Sequence, residues 1–250
     1  MKKLVENISL LIAFTLLISI MSGCEKSVKH KDEVSIKDII EDKEMHFIYV
    51  THAHNHSDQT DYGYLTKNGK IKRLYFDHPI ETSEVIKTKP KDIEKKFDIK
   101  KDDGVQRYKN WTKVKSYGRV VDPDGNPVTT TLFSKKITKK SFENEGTKGP
   151  INNEFNMIFQ YEFTNVETHQ ESDKKKVNIG SFSMRPDKEI KTKAKILNKD
   201  EDEIYKDFDI KERSYTIYNV VLPKNVKKLK DLDPDDKDVL TTKYGDNMTY

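Results

Sequence analysis

The sequence predicts a mainly β protein: antiparallel strands in one or two small, sandwich-like β domains, between a charged N-terminal tether and a frayed, charged C-terminal tail. Three observations predict it. Short runs rich in β-branched and aromatic residues recur along the chain, and two of them flank Asn68-Gly69, the dipeptide that most favours a tight hairpin turn because both residues tolerate positive φ. Apolar and polar residues alternate through Phe155, Met157, Phe159, Tyr161 and Phe163 against Asn156, Gln160, Glu162 and Thr164, a period of two that suits a half-buried strand. Finally, 35% of the 250 residues are charged and only 34% hydrophobic, but aromatics hold at 10% and the net charge is only +4. A disordered chain is short of aromatics and strongly charged in one sense; this chain is folded, with small cores.

Taken in order, residues 1–23 are mostly apolar after a charged start, read as a signal peptide, and precede the only cysteine, and residues 24–44 are so densely charged that they read as a flexible tether, with a short helix over residues 35–44. A first β domain spans residues 45–145. It starts with a strand at His46-Phe47-Ile48-Tyr49-Val50-Thr51, followed by the hairpin of residues 62–66 and 71–76 around Asn68-Gly69. Residues 80–104 are rich in Lys and Asp with weak periodicity, read either as a short helix or as a loop. A second hairpin joins residues 117–121 to 128–133 through Asp122-Pro123-Asp124-Gly125-Asn126. Gly146-Thr147-Lys148-Gly149-Pro150 marks a boundary, after which a second β domain spans residues 151–223. In it, the strand at 177–184 returns as the partner of the alternating strand, and Pro223 ends a further strand at 215–222. Residues 224–250 form the charged tail. The later group, with a strand ending Tyr161-Glu162-Phe163-Thr164-Asn165, a polar loop and another strand, resembles the immunoglobulin-like domains of some Gram-positive surface lipoproteins, which implies a sandwich rather than a barrel.

The first 24 residues carry an address. Lys2 and Lys3 are followed by a run from Ile8 to Met21 with no charged residue, then by Ser22-Gly23 and Cys24. This is the charged, apolar and small-residue order of a secretory signal peptide, and the run is too short for a membrane span of about 20 residues. Met21-Ser22-Gly23-Cys24 resembles the lipobox of bacterial lipoproteins, with Met21 in place of the usual Leu. The resemblance implies cleavage after Gly23 and a diacylglyceryl thioether on Cys24, so that a lipid anchor holds the protein at the outer face of the cell membrane. Two acyl chains suffice for stable anchoring at about 0.8 kcal/mol per buried methylene. The alternative is an ordinary cleaved signal peptide with an incidental cysteine. One cysteine also excludes an internal disulfide framework and any CxxC motif.

The most pointed chemistry lies in Thr51-His52-Ala53-His54-Asn55-His56-Ser57-Asp58, which holds three of the seven histidines at alternate positions. On a continuing strand, His52, His54 and His56 project from one face about 6.6 Å apart, and two such imidazoles reach one zinc ion at about 2.1 Å, with Asp58 or a distant His as a further ligand. The stretch also resembles the Thr-His-X-His-X-Asp-His motif of metallo-β-lactamase-fold hydrolases, but His56 stands at the motif's Asp position and Ser57 at its second-metal His. The resemblance implies a metal-dependent hydrolase, a remote alternative; the preferred reading is a solvated polar loop that joins two strands and holds no metal.

Nothing else in the chain carries a catalytic pattern. There is no Gly-X-Ser-X-Gly elbow, no Ser-X-X-Lys and no phosphate-binding glycine loop. Asp231-Leu232-Asp233-Pro234-Asp235-Asp236 imitates a calcium loop but has Asp236 where the turn glycine belongs and Thr242 at position twelve, so it reads as a solvated acidic tail. Trp111, the only tryptophan, stands among lysines and is expected in a core, with a binding anchor as the alternative. Lysine outnumbers arginine 41 to 5, which suits a hydrated surface rather than bidentate phosphate recognition; lysine runs near the tether favour anionic headgroups, diluted by acidic neighbours. The balanced charge argues against nucleic acid as a partner. The expectation is a non-catalytic binding or scaffolding lipoprotein with an unidentified envelope or protein partner, no resident cofactor, and zinc at His52, His54 and His56 as the alternative.

Overall fold

A computed structural model describes residues 27–52, 58–100, 108–146, 157–161, 168–171, 177–184 and 216–243. Thirteen strands and four short α-helices are found among these residues. In chain order they are β1 (Glu33–Ser35), α1 (Ile36–Glu41), β2 (His46–His52), β3 (Gln59–Lys67), β4 (Lys70–Glu81), α2 (Thr82–Lys87), α3 (Ile93–Lys96), β5 (Thr112–Lys113), β6 (Ser116–Val121), β7 (Pro127–Phe133), α4 (Lys139–Gly146), β8 (Met157–Tyr161), β9 (Thr168–Glu171), β10 (Val177–Met184), β11 (Thr216–Leu222), β12 (Lys228–Lys230) and β13 (Val239–Lys243). The expected mainly β, mainly antiparallel architecture is present. A seven-stranded sheet has the order β5-β4-β3-β2-β11-β10-β9, a four-stranded sheet the order β13-β6-β7-β8, and β1 pairs with β12.

The two larger sheets enclose the main core. Ile48, Val50, Tyr64, Phe182, Tyr218 and Val220 come from one sheet, and Tyr117, Leu132, Ile158 and Val239 from the other. Because strand side chains alternate between faces, the neighbours of these residues point outward, and each outer face has its own cover. Phe47, Tyr49, Leu65, Leu74 and Phe76 pack under Val85 of α2, Ile93 of α3 and Phe97. Val120 and Phe133 pack under Ile137 and Phe142 of α4. Burying one such side chain contributes about 1.5–3 kcal/mol. The order is therefore helices, sheet, sheet, helix.

Both anticipated hairpins form. Asn68 and Gly69 turn β3 into β4 with φ of 52° and 70°, the double positive φ of the tight turn that matches strand twist. In the second, Asp122 accepts hydrogen bonds from the Asn126 backbone and side-chain amides. Gly63 has a different reason to be glycine: a Cβ there would lie 2.4 Å from the Phe47 ring and 2.6 Å from the Ile48 carbonyl oxygen.

Several expectations need correction. Residues 45–145 and 151–223 are not separate sheets: β2 pairs with β11 and β7 with β8, so strands on either side of residues 146–150 complete each other's sheets. Long-range pairing of this kind leaves no local mark. For the same reason β10 partners β9 and β11, not the alternating strand β8, and among the described residues the later strands form no sandwich of their own. In residues 80–104, left open between a short helix and a loop, the helical alternative is present as α2 and α3, with a bridge from Ile99 to Phe76; residues 101–104 lie outside the described residues.

The expected tether and tail are the largest correction. From Ser27 onward the N-terminal segment is folded. Ser35 caps α1 in a reciprocal box with Asp38, and Ile36, Ile39 and Ile40 are fully buried at the i, i+3, i+4 spacing of a helix face. The C-terminal segment adds β12 and β13, which pair in parallel with β1 and β6. Val28, Val34, Ile36, Ile39, Ile40, Val226, Leu229, Leu232 and Val239 are nine of the 21 buried residues of the main core among the described residues. Charge density hid a sparse but correctly spaced set of apolar side chains.

Candidate functional site

His52 is the last residue of β2 and stands opposite Thr216; His54 and His56, and Cys24 at the other predicted site, lie outside the described residues. Among the described residues no three His, Cys, Asp or Glu side chains are grouped to hold a metal ion. The acidic loop that imitates a calcium site is organised by cations of the chain itself. Asp236 accepts a 2.6 Å bond from the Lys37 ammonium, and Asp231 accepts from Arg119 Nε at 3.1 Å and from the Thr130 hydroxyl at 3.0 Å. Asp233 and Asp236 each accept a backbone N–H two residues on.

The most concentrated polar chemistry lies at the end of the seven-stranded sheet where β3 turns into β4, and it begins with a residue the sequence did not single out. The Asp42 side chain is 2% exposed, and its carboxylate is surrounded by donors. Ser27 Oγ donates to both oxygens at 3.0 and 3.1 Å, and the backbone N–H groups of Val28 and Glu44 donate at 3.1 Å. His46 Nε2 lies 2.9 Å away. Burial by itself raises the Asp42 pKa, but the bonds from His46, Glu44 and Ser27 outweigh it and hold the carboxyl below its ordinary value. The same residue closes the hairpin from behind. Its carbonyl accepts from the Asn68 N–H at 2.7 Å, and the Ile40 carbonyl accepts from Gly69 at 2.9 Å, so the turn satisfies carbonyls at the end of α1 that the helix leaves orphaned. The Gly69 carbonyl in turn accepts from Val114, just beyond β5. Ser27, the turn and β5 are thus one hydrogen-bonded unit.

On this end a row of lysines crosses three strands. Lys67 pairs with Lys70, and Lys70 with Lys113. Directly opposed residues share a face, and the row lies on the side of Leu65 and Leu74 that α2 and α3 cover further along. Lys70 and Lys113 are exposed. None of the three lies in an ion pair among the described residues, whereas the next lysine on the face, Lys72, is paired with Glu94 of α3, and Lys29 with Glu44. Trp111 immediately precedes β5, two residues before Lys113; the β4–β5 ladder ends at Thr112, and the next β4 backbone donor, Arg73 N–H, bonds the Tyr108 carbonyl. Trp111 is 38% exposed, an exposed large hydrophobic residue where a core aromatic was expected; its sheet-edge position, outside all three cores, is the reason.

The other polar cluster is enclosed. The Arg73 guanidinium lies 4.4 Å from the Tyr75 ring centroid, 4.9 Å from Tyr62 and 5.7 Å from Tyr64, and the main core's Phe182 and Tyr218 stack at 5.1 Å beyond. Arg73 Nε is buried without a hydrogen-bond acceptor among the described residues. Burial pushes the Tyr62 hydroxyl up to about 12 and raises Tyr64 and Tyr218, with Arg73 pulling the other way. These phenols stay protonated near neutrality, which suits a cation–π support inside the fold and not a general base. Compared with known proteins, the chain matches no family model, no curated protein and no solved structure.

Proposed function

We propose that this protein is a lipid-anchored, extracytoplasmic binding or scaffolding protein of the cell envelope, held at the outer face of the cell membrane through Cys24. The observation that carries the reading is an ordered set of residues: Lys2 and Lys3, an uncharged run from Ile8 to Met21, and then Met21-Ser22-Gly23-Cys24 with the only cysteine of the chain in last place. Each part depends on the others, since a signal peptidase needs the apolar run and small residues and lipid transfer needs the thiol. A lipid on Cys24 would sit three residues before Ser27, the first described residue.

The work is done by binding, on this reading, because the buried charged side chains of the described clusters are engaged by groups of the fold itself. Asp42 and His46 hold each other, and Arg119 and Arg73 are engaged by Asp231 and by tyrosine rings.

The test is replacement of Cys24 by Ala in a cell that secretes the protein. The variant is released into the medium or remains as unprocessed precursor, while the wild-type chain partitions with membranes and into detergent. Membrane retention and processing identical to wild type rule the anchor out.

A further inference from the structure

We infer that the lysine-bearing end of the seven-stranded sheet lies on a membrane surface of anionic lipid headgroups, with Lys67, Lys70 and Lys113 at the phosphates and Trp111 at the interface; this rests on the lipid-anchor reading of Cys24. Like charges directly opposed across strands are destabilising, yet here two such pairs follow one another, Lys67 with Lys70 and Lys70 with Lys113. The fold supplies no carboxylate for any of the three among the described residues, although it supplies Glu94 for Lys72 and Glu44 for Lys29. An external anionic surface complements the row. Trp111 fits the same occupant, because indole combines a large apolar ring with one N–H donor and settles at the boundary between headgroup and hydrocarbon.

Reach selects a membrane over other polyanions. Ser27 is bonded to Asp42, and Asp42 to the turn residue Asn68 between Lys67 and Lys70. Cys24 stands three residues before Ser27, and three residues span at most roughly 11 Å. Wherever those residues lie, an acylated Cys24 holds the lysine row within reach of the headgroups. Exposed Lys43, beside Asp42, adds charge at the same end.

The experiment uses the chain from residue 24 with Cys24→Ser, which carries every described contact and no lipid. It is sedimented with vesicles of equal parts phosphatidylglycerol and phosphatidylcholine, and with phosphatidylcholine alone. The protein is expected to bind the first and not the second, more weakly as salt rises, with a blue shift in the emission of its single tryptophan. Each lysine near an anionic surface is worth about fivefold, so K67Q/K70Q/K113Q lowers partitioning on the order of a hundredfold. The charge-matched K135Q/K136Q/K140Q, in and beside α4 on the opposite side of the molecule, leaves it nearly unchanged. Four results overturn the inference: no binding to the anionic vesicles, equal loss in both variants, a K67Q/K70Q/K113Q variant that binds like the parent, or capture by soluble polyphosphate without capture by vesicles. Since no lipid is attached, the outcome is independent of the Cys24→Ala fractionation. Release of Cys24→Ala together with failed vesicle binding removes the docking face and leaves the anchor, and the converse removes the anchor alone.

Discussion

The two ends of the folded region close the same core by different means. The N-terminal stretch is fastened by one buried carboxylate, Asp42, that accepts bonds from a hydroxyl and two backbone N–H groups and contacts one imidazole. The C-terminal stretch is fastened by pairing opposite charges: Asp231 with Arg119, Asp236 with Lys37, Glu33 with Lys230 and Asp32 with Lys227. The three residues of β1 and the three of β12 then zip the two ends together. A carboxylate satisfied by neutral donors depends on geometry and on staying ionised. Ion pairs depend on burial and on salt, and those of the C-terminal stretch are most exposed at Lys227 and Lys230, most enclosed at Asp231 and more exposed again at Asp236.

The largest expected effect is at the most enclosed ion pair of the C-terminal stretch. Arg119 and Asp231 side chains are 12% and 8% exposed, and Thr130 donates to the second Asp231 oxygen. Asp231→Ala leaves a guanidinium in the protein interior without its counter-charge, a change that costs about 3–5 kcal/mol. Urea unfolding followed by far-ultraviolet circular dichroism reads it as a lower midpoint at an unchanged slope. A loss of under about 1 kcal/mol means that water reaches Arg119, and the contrast between the two ends then disappears.

Next comes Asp42→Asn, which keeps the size of the side chain and removes its charge. Up to four donors lose part of their acceptor, at about 1–3 kcal/mol in sum. The acid limb of the stability profile gives an independent reading. The Asp42 pKa is lowered in the folded protein, so its contribution is complete above the ordinary aspartate value and is lost as the pH falls through the lowered folded value. Wild type therefore loses stability on acidification in that window, and Asp42→Asn flattens part of the loss. An unchanged acid limb in the variant shows that His46 and Ser27 do not depend on the charge of Asp42.

How much of this could be read in the sequence depends on how far apart the partners are. The β3–β4 hairpin was legible because Asn68-Gly69 and the alternation beside it are local, and α1 was legible from Ser35 and its neighbours. The spacing of Ile36, Ile39 and Ile40 also marked a buried face, but Lys29, Lys31, Lys37 and Lys43 crowd the same segment and a composition average erases three isoleucines. The pairing of β1 with β12 joins residues about two hundred positions apart, and three-residue strands have no period to detect. The candidate surface failed for the same reason. Lys67 and Lys70 look like ordinary solvated ends of a hairpin, and only the register of β4 on β5 brings Lys113 beside them, with Trp111 two residues before it. Asp42 carried no signal at all, since a buried acceptor for Ser27 and His46 is known only once the chain has closed.

The smallest effect sharpens the comparison most finely. Lys37 on α1 reaches across to Asp236 at 2.6 Å and to the more exposed Asp238 at 3.4 Å, and its ammonium lies 5.6 Å from the Tyr117 ring. Lys37 thereby joins α1 itself to the C-terminal loop. Burial alone lowers the Lys37 pKa, but Asp236, Glu41 and Asp238 reverse that and leave it raised, while Asp236 is lowered. The pair therefore stabilises across a wide window, lost at the acid side as Asp236 is protonated and at the alkaline side as the pH passes the raised Lys37 value. Lys37→Met keeps the aliphatic stem over Tyr117 and removes only the charge. It is expected to cost about 0.5–1 kcal/mol at low ionic strength and progressively less as salt rises, while the deficit of Asp42→Asn stays constant over the same salt series. Parallel salt dependence in the two variants would show that both ends are held by screened charge; divergence shows that one end is held by geometry and the other by electrostatics, with α1 in contact with both.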